Sequence, residues 1–253
     1  MTEKETVSAI SVRNVSAGYA EEIVIRDVSF DVSKSEIFAV MGRSGCGKTT
    51  LFRAMVGLLK PLKGQIYYGA WKMSPISEEP QLQILRKLGV LFQSGALFSS
   101  LTIADNVALP LRQFTSLSKN VIEELVYLKL ELVGLSDSAT KLPDELSGGM
   151  QKRAALARAM ALDPEILFFD EPSSGLDPLT SSELDQTILG INSSIGTTIV
   201  VITHELRSAF AIADRAILLD PVEKTIIAEG SPEKLKDYAS DERVRNFFQG
   251  HSK

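Results

Sequence analysis

Residues 37–50 read IFAVMGRSGCGKTT, an apolar run that passes without a break into a glycine-rich loop. A continuous apolar run of this kind is typical of a strand buried on both faces of a parallel sheet. Positions 42–49 fit the spacing G-x-x-x-x-G-K-[ST], in which glycines allow successive backbone N–H groups to turn towards a phosphate. Apolar residues at helical spacing follow, and Gly57 and Pro61 mark the end of that helix. Strand, loop and helix in this order predict a phosphate-binding site in an α/β domain.

Four side chains carry the chemistry predicted for this site. Lys48 would place its charge on the outer phosphates of a nucleotide, and the Thr49 hydroxyl would ligate Mg²⁺. A second apolar run, residues 166–169, ends in Asp170 and Glu171, which places both carboxylates at the sheet edge where ligands bind. We expect Asp170 to hold Mg²⁺, mainly through water, and Glu171 to orient and polarise the attacking water.

The remaining periodicities predict a layered α/β fold. Alternating apolar residues over 10–32 indicate strands of an N-terminal antiparallel layer. Apolar runs at 166–169 and 199–202, with a helical pattern over 180–191 between them, indicate a mostly parallel core sheet with right-handed crossovers. Leucine, alanine and charged residues dominate about 94–160, which predicts an inserted helical subdomain.

We expect a single domain over 1–236, closed by a strand pair at 216–227, and a C-terminal helical tail over 237–253. The end of the chain could carry an apolar stripe that docks on a neighbouring subunit or a small regulator; packing of the stripe on its own domain is the alternative. The stripe would consist of Leu235, Tyr238, Val244, Phe247 and Phe248.

Composition and charge exclude several classes of protein. Apolar residues make up 44% and charged residues 23% of the 253 residues, as in an ordinary globular domain. The net charge of −5 argues against a broad basic surface, so nucleic acid is not an expected partner. The single cysteine, Cys46, excludes an intrachain disulfide, and two histidines leave few ligands for zinc. Neither a secretion signal nor an apolar run of about 20 residues is visible, so we expect a cytosolic protein.

Residues 146–151 read LSGGMQ and open a predicted helix. Ser147, Gly148 and Gly149 would form an N-cap whose hydroxyl and free N–H groups face an anion. This motif resembles the signature of ABC transporter ATP-binding subunits, which is usually written LSGGQ. Met150 in the fifth place is a departure that part of the family shares.

The order of the motifs over about 10–235 also resembles these ATP-binding subunits. The resemblance implies the P-loop ATPase fold of ABC proteins, with a RecA-like core sheet, and it implies ATP and Mg²⁺ as cofactors. Two chains would be needed, since in this family ATP lies between the glycine-rich loop of one subunit and the signature of the other. ATP would close this homodimer and hydrolysis would open it, and that motion would drive an attached membrane protein.

Further positions match the family in the same order. Tyr19 stands where the family has an aromatic ring that stacks on adenine, and Gln93 resembles the glutamine that senses Mg²⁺ and the membrane partner. Residues 174–177, SGLD, resemble the loop commonly written SALD, and His204 resembles the histidine that contacts the γ-phosphate. The resemblance implies nucleotide contacts from Tyr19, Gly42, Arg43, Ser44, Gly45, Cys46, Gly47, Lys48, Thr49, Thr50, Ser147, Gly148, Gly149 and Asp177. It implies catalytic roles for Lys48, Gln93, Glu171 and His204, and Mg²⁺ ligation by Thr49, Gln93 and Asp170.

The run at 92–112, FQSGALFSSLTIADNVALPLR, is similar to the ATPases of Mce-associated phospholipid transporters, the maintenance-of-lipid-asymmetry type. Residues 95–98 would line a groove for a helix of the permease, or belong to the subdomain core. The resemblance implies a multispanning permease, an Mce-domain periplasmic subunit and a small STAS-domain subunit. It further implies a peripheral place on the cytoplasmic face of the inner membrane and transport of phospholipid between inner and outer membranes.

Other functions stay open at this point. The same motor could serve a permease for amino acids, metals or lipoproteins. A soluble ABC protein of translation or DNA repair would usually carry tandem ATPases or a coiled coil, and this chain shows one motif set and no heptad run. A regulatory module without catalysis would normally lack a base such as Glu171.

Cys46 lies inside the glycine-rich loop. We therefore expect a thiol reagent to block nucleotide binding. The alternative is that Cys46 is a small buried residue that fills space.

Overall fold

Two β-sheets and a set of helices make up the computed structural model of the chain, which describes residues 8–20, 22–73 and 79–250. The strands in these ranges are β1 (Ser8–Tyr19), β2 (Glu22–Ser33), β3 (Ile37–Gly42), β4 (Lys63–Tyr68), β5 (Trp71–Lys72), β6 (Leu88–Leu91), β7 (Ile166–Asp170), β8 (Thr198–Ile202), β9 (Arg215–Leu219) and β10 (Ile226–Gly230). The helices are α1 (Lys48–Met55), α2 (Glu79–Leu85), α3 (Ile103–Phe114), α4 (Lys119–Leu132), α5 (Gly148–Ala159), α6 (Pro178–Ile195), α7 (Leu206–Ile212), α8 (Pro232–Tyr238) and α9 (Glu242–Phe248). None of these helices is long and apolar enough to cross a bilayer.

The central sheet has the strand order β10-β9-β3-β8-β7-β6. Its strands pair in parallel except β10, which returns antiparallel to β9. Every residue of β3, β7 and β8 is buried, because α1 and the N-terminal strands cover one face of the sheet and other helices cover the opposite face. A second, antiparallel sheet in the order β2-β1-β4-β5 forms the N-terminal layer. The predicted α/β fold, a mostly parallel core sheet with an antiparallel layer, is confirmed.

Helices α3, α4 and α5 lie in the chain between β6 and β7 and pack on one another. Their shared apolar core includes Val107, Leu130 and Leu156, all nearly inaccessible to solvent. Thr102 caps α3 by accepting a hydrogen bond from the backbone N–H of Asp105 at 3.1 Å. The boundaries 1–236, 94–160 and 237–253 proposed from the sequence stay predictions, and their outermost residues, 1–7 and 251–253, lie outside the described residues.

The end of the chain is helical, as predicted, and forms the two short helices α8 and α9; the contacts of its apolar residues favour packing on the chain's own domain, the alternative to docking. Val244 and Phe248 are 1% and 2% exposed, and they pack with Leu235 against the outer face of the central sheet and α7. Phe248 also meets the ring of Phe210 edge to face at 6.2 Å. Leu235, Val244 and Phe248 therefore belong to the core of their own domain, where burial removes their apolar area from water. The side chain of Tyr238 lies outside the described part.

Phe168 is at the centre of the core between the two sheets. It is fully buried, and its ring meets the rings of Phe52 at 6.3 Å and Tyr68 at 6.4 Å, both edge to face. Such aromatic pairs add stabilisation beyond the apolar area that they remove from water.

Phe168→Ala should lower the free energy of unfolding by about 3–5 kcal/mol, because it leaves a cavity among rings that cannot collapse into it. Denaturant unfolding of the purified chain measures this loss. Tyr127→Ala on α4 is the control, since Tyr127 is 56% exposed, and it should stay within about 0.5 kcal/mol of the parent. Equal losses in the two variants would contradict the central place given to Phe168.

Candidate active site

The loop between β3 and α1 has a backbone that only glycine can adopt at two of its positions. Gly42 and Gly47 have φ angles of 151° and 101°. A Cβ on Gly42 would lie 2.4 Å from Sγ of Cys46, and one on Gly47 would lie 2.4 Å from a methyl carbon of Ile25. The glycines therefore let the loop curl tightly under the antiparallel layer, as the spacing of the motif predicts.

Lys48 reaches back across this loop. Its Nζ donates hydrogen bonds to the carbonyls of Gly42 at 2.8 Å and Arg43 at 3.2 Å, and the residue is 7% exposed. Helix α1 begins at Lys48 after Gly47, which has no side chain to cap it. The first N–H groups of α1, including that of Thr49, thus point into the loop together with a buried cation, an arrangement suited to phosphate.

Asp170 ends β7 and has a buried carboxylate oxygen that lacks a partner. Among the described residues, its Oδ1 and Oγ of Ser173 are the buried side-chain oxygens without a hydrogen bond. A buried carboxylate oxygen in this condition is costly unless a cation offsets it. Carboxylate and hydroxyl oxygens are ligands that Mg²⁺ prefers, so the donor set fits that ion.

The electrostatic surroundings of Asp170 pull in two directions. Burial raises its pKa above the ordinary 3.8, and the charge of Glu171 raises it further. The charges of Arg53, Lys48 and Lys152 act in the opposite direction and only partly compensate. The carboxylate is thus held in a state that an added cation would stabilise.

Glu171 and His204 meet at the same edge. Both carboxylate oxygens of Glu171 lie near Nδ1 of His204, at 2.8 and 2.9 Å. The backbone N–H of Glu171 donates to the carbonyl of Ile202 at 2.8 Å, which ties the residue to the end of β8. Glu171 has a φ of 49°, a left-handed conformation that is strained for a residue with a side chain. Strain of this kind clusters at functional sites, and here it turns the carboxylate back towards His204.

Gln93 follows β6 and reaches the same edge because β6 runs parallel to β7. Its Nε2 donates to Oγ of Ser174 at 3.4 Å, a long contact three residues beyond Glu171. The side chain is exposed. The sheet therefore brings Lys48, Gln93, Asp170, Glu171 and His204 to one edge, and their individual roles remain predictions.

Tyr19 has a neighbour that the sequence did not indicate. Its hydroxyl accepts a hydrogen bond from Nη1 of Arg53 at 2.9 Å, and the ring is 45% exposed at the end of β1. Arg53 lies on α1, the helix that begins with Lys48, so one helix serves both ends of the predicted nucleotide site. The two residues are 34 positions apart, and no motif joins them.

The signature residues occupy a different neighbourhood. Ser147 caps α5 by accepting the N–H of Met150 at 3.3 Å. A Cβ on Gly149 would lie 2.2 Å from a methyl carbon of Thr180, so the start of α5 packs closely on the start of α6. Asp177 caps α6 by accepting the N–H groups of Leu179 and Thr180 at 3.0 and 3.1 Å. Hydrogen bonds to Thr180 are the main reason that the pKa of Asp177 lies below its ordinary value.

Comparison with known proteins gives consistent relatives. A family model described as "ABC transporter" matches residues 25–174. The intermembrane phospholipid transport system ATP-binding protein MlaF of Haemophilus influenzae is 39% identical over 243 residues, which cover 96% of this chain and 91% of the relative. MlaF of Escherichia coli is 40% identical over 248 residues, which cover 98% of this chain and 91% of the relative. The probable ribonucleotide transport ATP-binding protein mkl of Mycobacterium leprae is 39% identical over 96% of this chain and 69% of its own.

Solved structures agree with these matches. A dimeric ATP-binding cassette in a post-hydrolysis state, bound to ADP and Pi, superposes with a TM-score of 0.78 at 30% identity and covers 88% of this chain and 98% of its own. The cbiO1 protein of Clostridium perfringens, part of an ABC transporter complex, gives a TM-score of 0.83 at 26% identity, with 94% of each chain covered.

The structure favours the alternative for Cys46, a small buried residue that fills space. The residue is 1% exposed and belongs to the apolar core, and burial raises the pKa of its thiol. Iodoacetamide should therefore alkylate Cys46 in the folded chain at least roughly tenfold more slowly than in the unfolded chain, as followed by mass spectrometry. A second thiol introduced by Ser44→Cys, at an exposed position of the same loop, should react quickly. Equal reactivity at the two positions would contradict the burial.

Asp170→Asn should make the chain more stable while it abolishes Mg²⁺-dependent ATP hydrolysis. A raised pKa means that the folded state loses stability as pH rises above about 3.8, so the cost of the carboxylate is fully present at pH 7. Its removal should add about 0.5–2 kcal/mol to the free energy of unfolding at pH 7, and less as pH falls towards 4.

Denaturant unfolding across this pH range measures the effect of Asp170→Asn. Asp177→Asn is the control, because the pKa of Asp177 is lowered and its neutralisation should bring no gain. An Asp170→Asn chain less stable than the parent at pH 7 would refute the electrostatic account.

Proposed function

The chain belongs to the ABC transporter family, and from that premise we propose that it is the ATPase subunit of a phospholipid transporter, bound to the cytoplasmic face of the inner membrane. One observation carries the choice of cargo: 40% identity over 98% of the chain with an intermembrane phospholipid transport ATP-binding protein. The match also spans 91% of that relative, so it is not confined to the shared ATPase motifs.

Lys48 and the first turn of α1 would hold the phosphates of ATP. The ammonium group already lies over the loop carbonyls of Gly42 and Arg43, so a phosphate could bind without a large rearrangement of the buried lysine. Preorganised cations and N–H groups suit phosphoryl transfer, since enzymes catalyse it almost entirely by positioning the groups and by electrostatic stabilisation. The ring of Tyr19, steadied by Arg53, would stack on the base.

Thr49 and Asp170 would hold Mg²⁺, with Gln93 as the third predicted ligand. When bound, the ion neutralises charge that develops between the β- and γ-phosphates. The partnerless Oδ1 of Asp170 is the observation that supports this assignment.

Glu171 would orient the attacking water and accept its proton. Its carboxylate is 12% exposed, contacts Nδ1 of His204, and is held in place by a backbone bond to Ile202. This placement suits a general base, because the backbone is held at the edge where Asp170 lies and the carboxylate has a partner there. His204, which is 58% exposed, would steady Glu171 and reach towards the γ-phosphate.

We propose that two copies of the chain complete each site. Gly149 packs against Thr180 at the start of α6 in its own chain, and the signature residues beside it would take the nucleotide of the other chain as their ligand. The similarity to a dimeric cassette bound to ADP and Pi supports this arrangement. A two-fold axis would generate two equivalent ATP sites.

The membrane partners are also proposals. A multispanning permease would supply a helix to the surface at residues 95–98, where Phe98 is 52% exposed. An Mce-domain periplasmic subunit and a small STAS-domain subunit would complete the assembly. The similarity to the mycobacterial probable ribonucleotide transport protein makes ribonucleotide the second candidate cargo, although the chain covers only 69% of that relative.

The tagged chain should purify from membranes with its permease, and the complex should move labelled phospholipid between two vesicle populations when given Mg-ATP. Glu171→Gln in the same complex should bind ATP and accumulate as a closed dimer. It should lose hydrolysis and lipid transfer by at least roughly 100-fold, because the base is gone. Normal turnover by this variant would remove Glu171 as the base. Transfer of labelled ribonucleotide with no transfer of lipid would replace the proposed cargo.

A further inference from the structure

Two cations on α5 hold the loop that follows β6 by its backbone carbonyls. Nζ of Lys152 donates to the carbonyl of Gln93. Arg158 donates to the carbonyls of Gly95 and Ala96, at 2.9 and 2.7 Å. Among the described residues, neither cation has a carboxylate within salt-bridge distance. Their hydrogen bonds to the carbonyls of this loop therefore join the loop to α5.

Lys152 differs from Arg158 in where it lies. It is 8% exposed and close enough to the active-site edge to feel the charges of Asp170, Glu171 and Glu205. Burial nevertheless dominates and lowers its pKa. A cation buried this deeply needs a hydrogen-bond acceptor, and the carbonyl of Gln93 provides one.

The contact joins two parts of the site that are remote in sequence. Lys152 lies five residues after Ser147, which caps α5, so its Cα is about 7 Å along the helix from the signature. Gln93 carries the amide that meets Ser174, just beyond Glu171. The hydrogen bond from Lys152 therefore links α5 to the Gln93 backbone directly, and not by way of the sheet.

We propose that Lys152 is a positioning residue for ATP hydrolysis, which fixes Gln93 to the helix that begins with the signature. The assignment rests on the proposed function, in which Gln93 acts at the Mg²⁺ and water site. Gln93 then reaches the Mg²⁺ and water site only when α5 is in the position that allows the hydrogen bond from Lys152. Arg158 holds the same loop farther along, at Gly95 and Ala96, and contributes to its fold rather than to the placement of Gln93.

A double-mutant cycle in the complete transporter tests this role. Lys152→Met should lower kcat by roughly tenfold and leave KM for ATP within about twofold, because a charged hydrogen bond that orders the site is lost. Lys152→Arg, which keeps a cationic donor, should retain most of the rate. In a Gln93→Ala background, Lys152→Met should cost little more, since both changes remove the same effect.

Each contrary result has a distinct meaning. Losses that multiply in the double variant, or a parental kcat for Lys152→Met, would overturn the positioning role while the proposed ATPase mechanism stands. A parental rate for Gln93→Ala alone would instead refute the place of Gln93 in the proposed function, and the Lys152 proposal with it. The thermal unfolding midpoint checks folding, and Lys152→Gln replaces the methionine variant in the same cycle if that midpoint falls by more than about 5 °C.

Discussion

Parallel pairing of β3, β8, β7 and β6 is the constraint on which the active site depends. Parallel strands end at a common edge, and their register places Val40 beside Ile202 and Ile202 beside Asp170. The residues that follow these strands therefore meet although they are far apart in the chain. One such residue is Glu171, whose backbone is bonded to Ile202. Because β3, β7 and β8 are buried along their whole length, the packing of the core holds this edge in place without a ligand.

The charged side chains at this edge supply its proposed chemistry, and they also lower the stability of the folded chain. Asp170 and Glu171 are adjacent carboxylates, and Lys48, Arg53 and Lys152 surround them without forming a direct ion pair with Asp170. A protein optimised for stability alone would pair or remove such a buried charge. The site is instead left with an unsatisfied oxygen, whose unfavourable burial a bound cation would offset.

The sequence predicted the parts of the site that short motifs encode, because loop 42–49 and the strand ends depend on local backbone geometry. It could not predict contacts between distant side chains, such as Arg53 with Tyr19 or Lys152 with Gln93, 34 and 59 positions apart. The sequence left the burial of Cys46 open, since burial there depends on the antiparallel layer that lies over the loop. The apolar pattern of the tail was visible, but a pattern does not say which surface it will cover. Packing against the tail's own domain decided that question.

The left-handed backbone at Glu171 has a consequence for how the enzyme is probed. A φ of 49° imposes a conformational penalty of about 1–3 kcal/mol on any residue with a Cβ, and glycine alone would escape it. Glu171→Gly would therefore remove the carboxylate and relieve the backbone strain at the same time. A loss of activity in that variant could not be assigned to the missing carboxylate alone. Glutamine keeps the same shape and the same penalty, so it isolates the loss of the proton acceptor from the relaxation of the main chain.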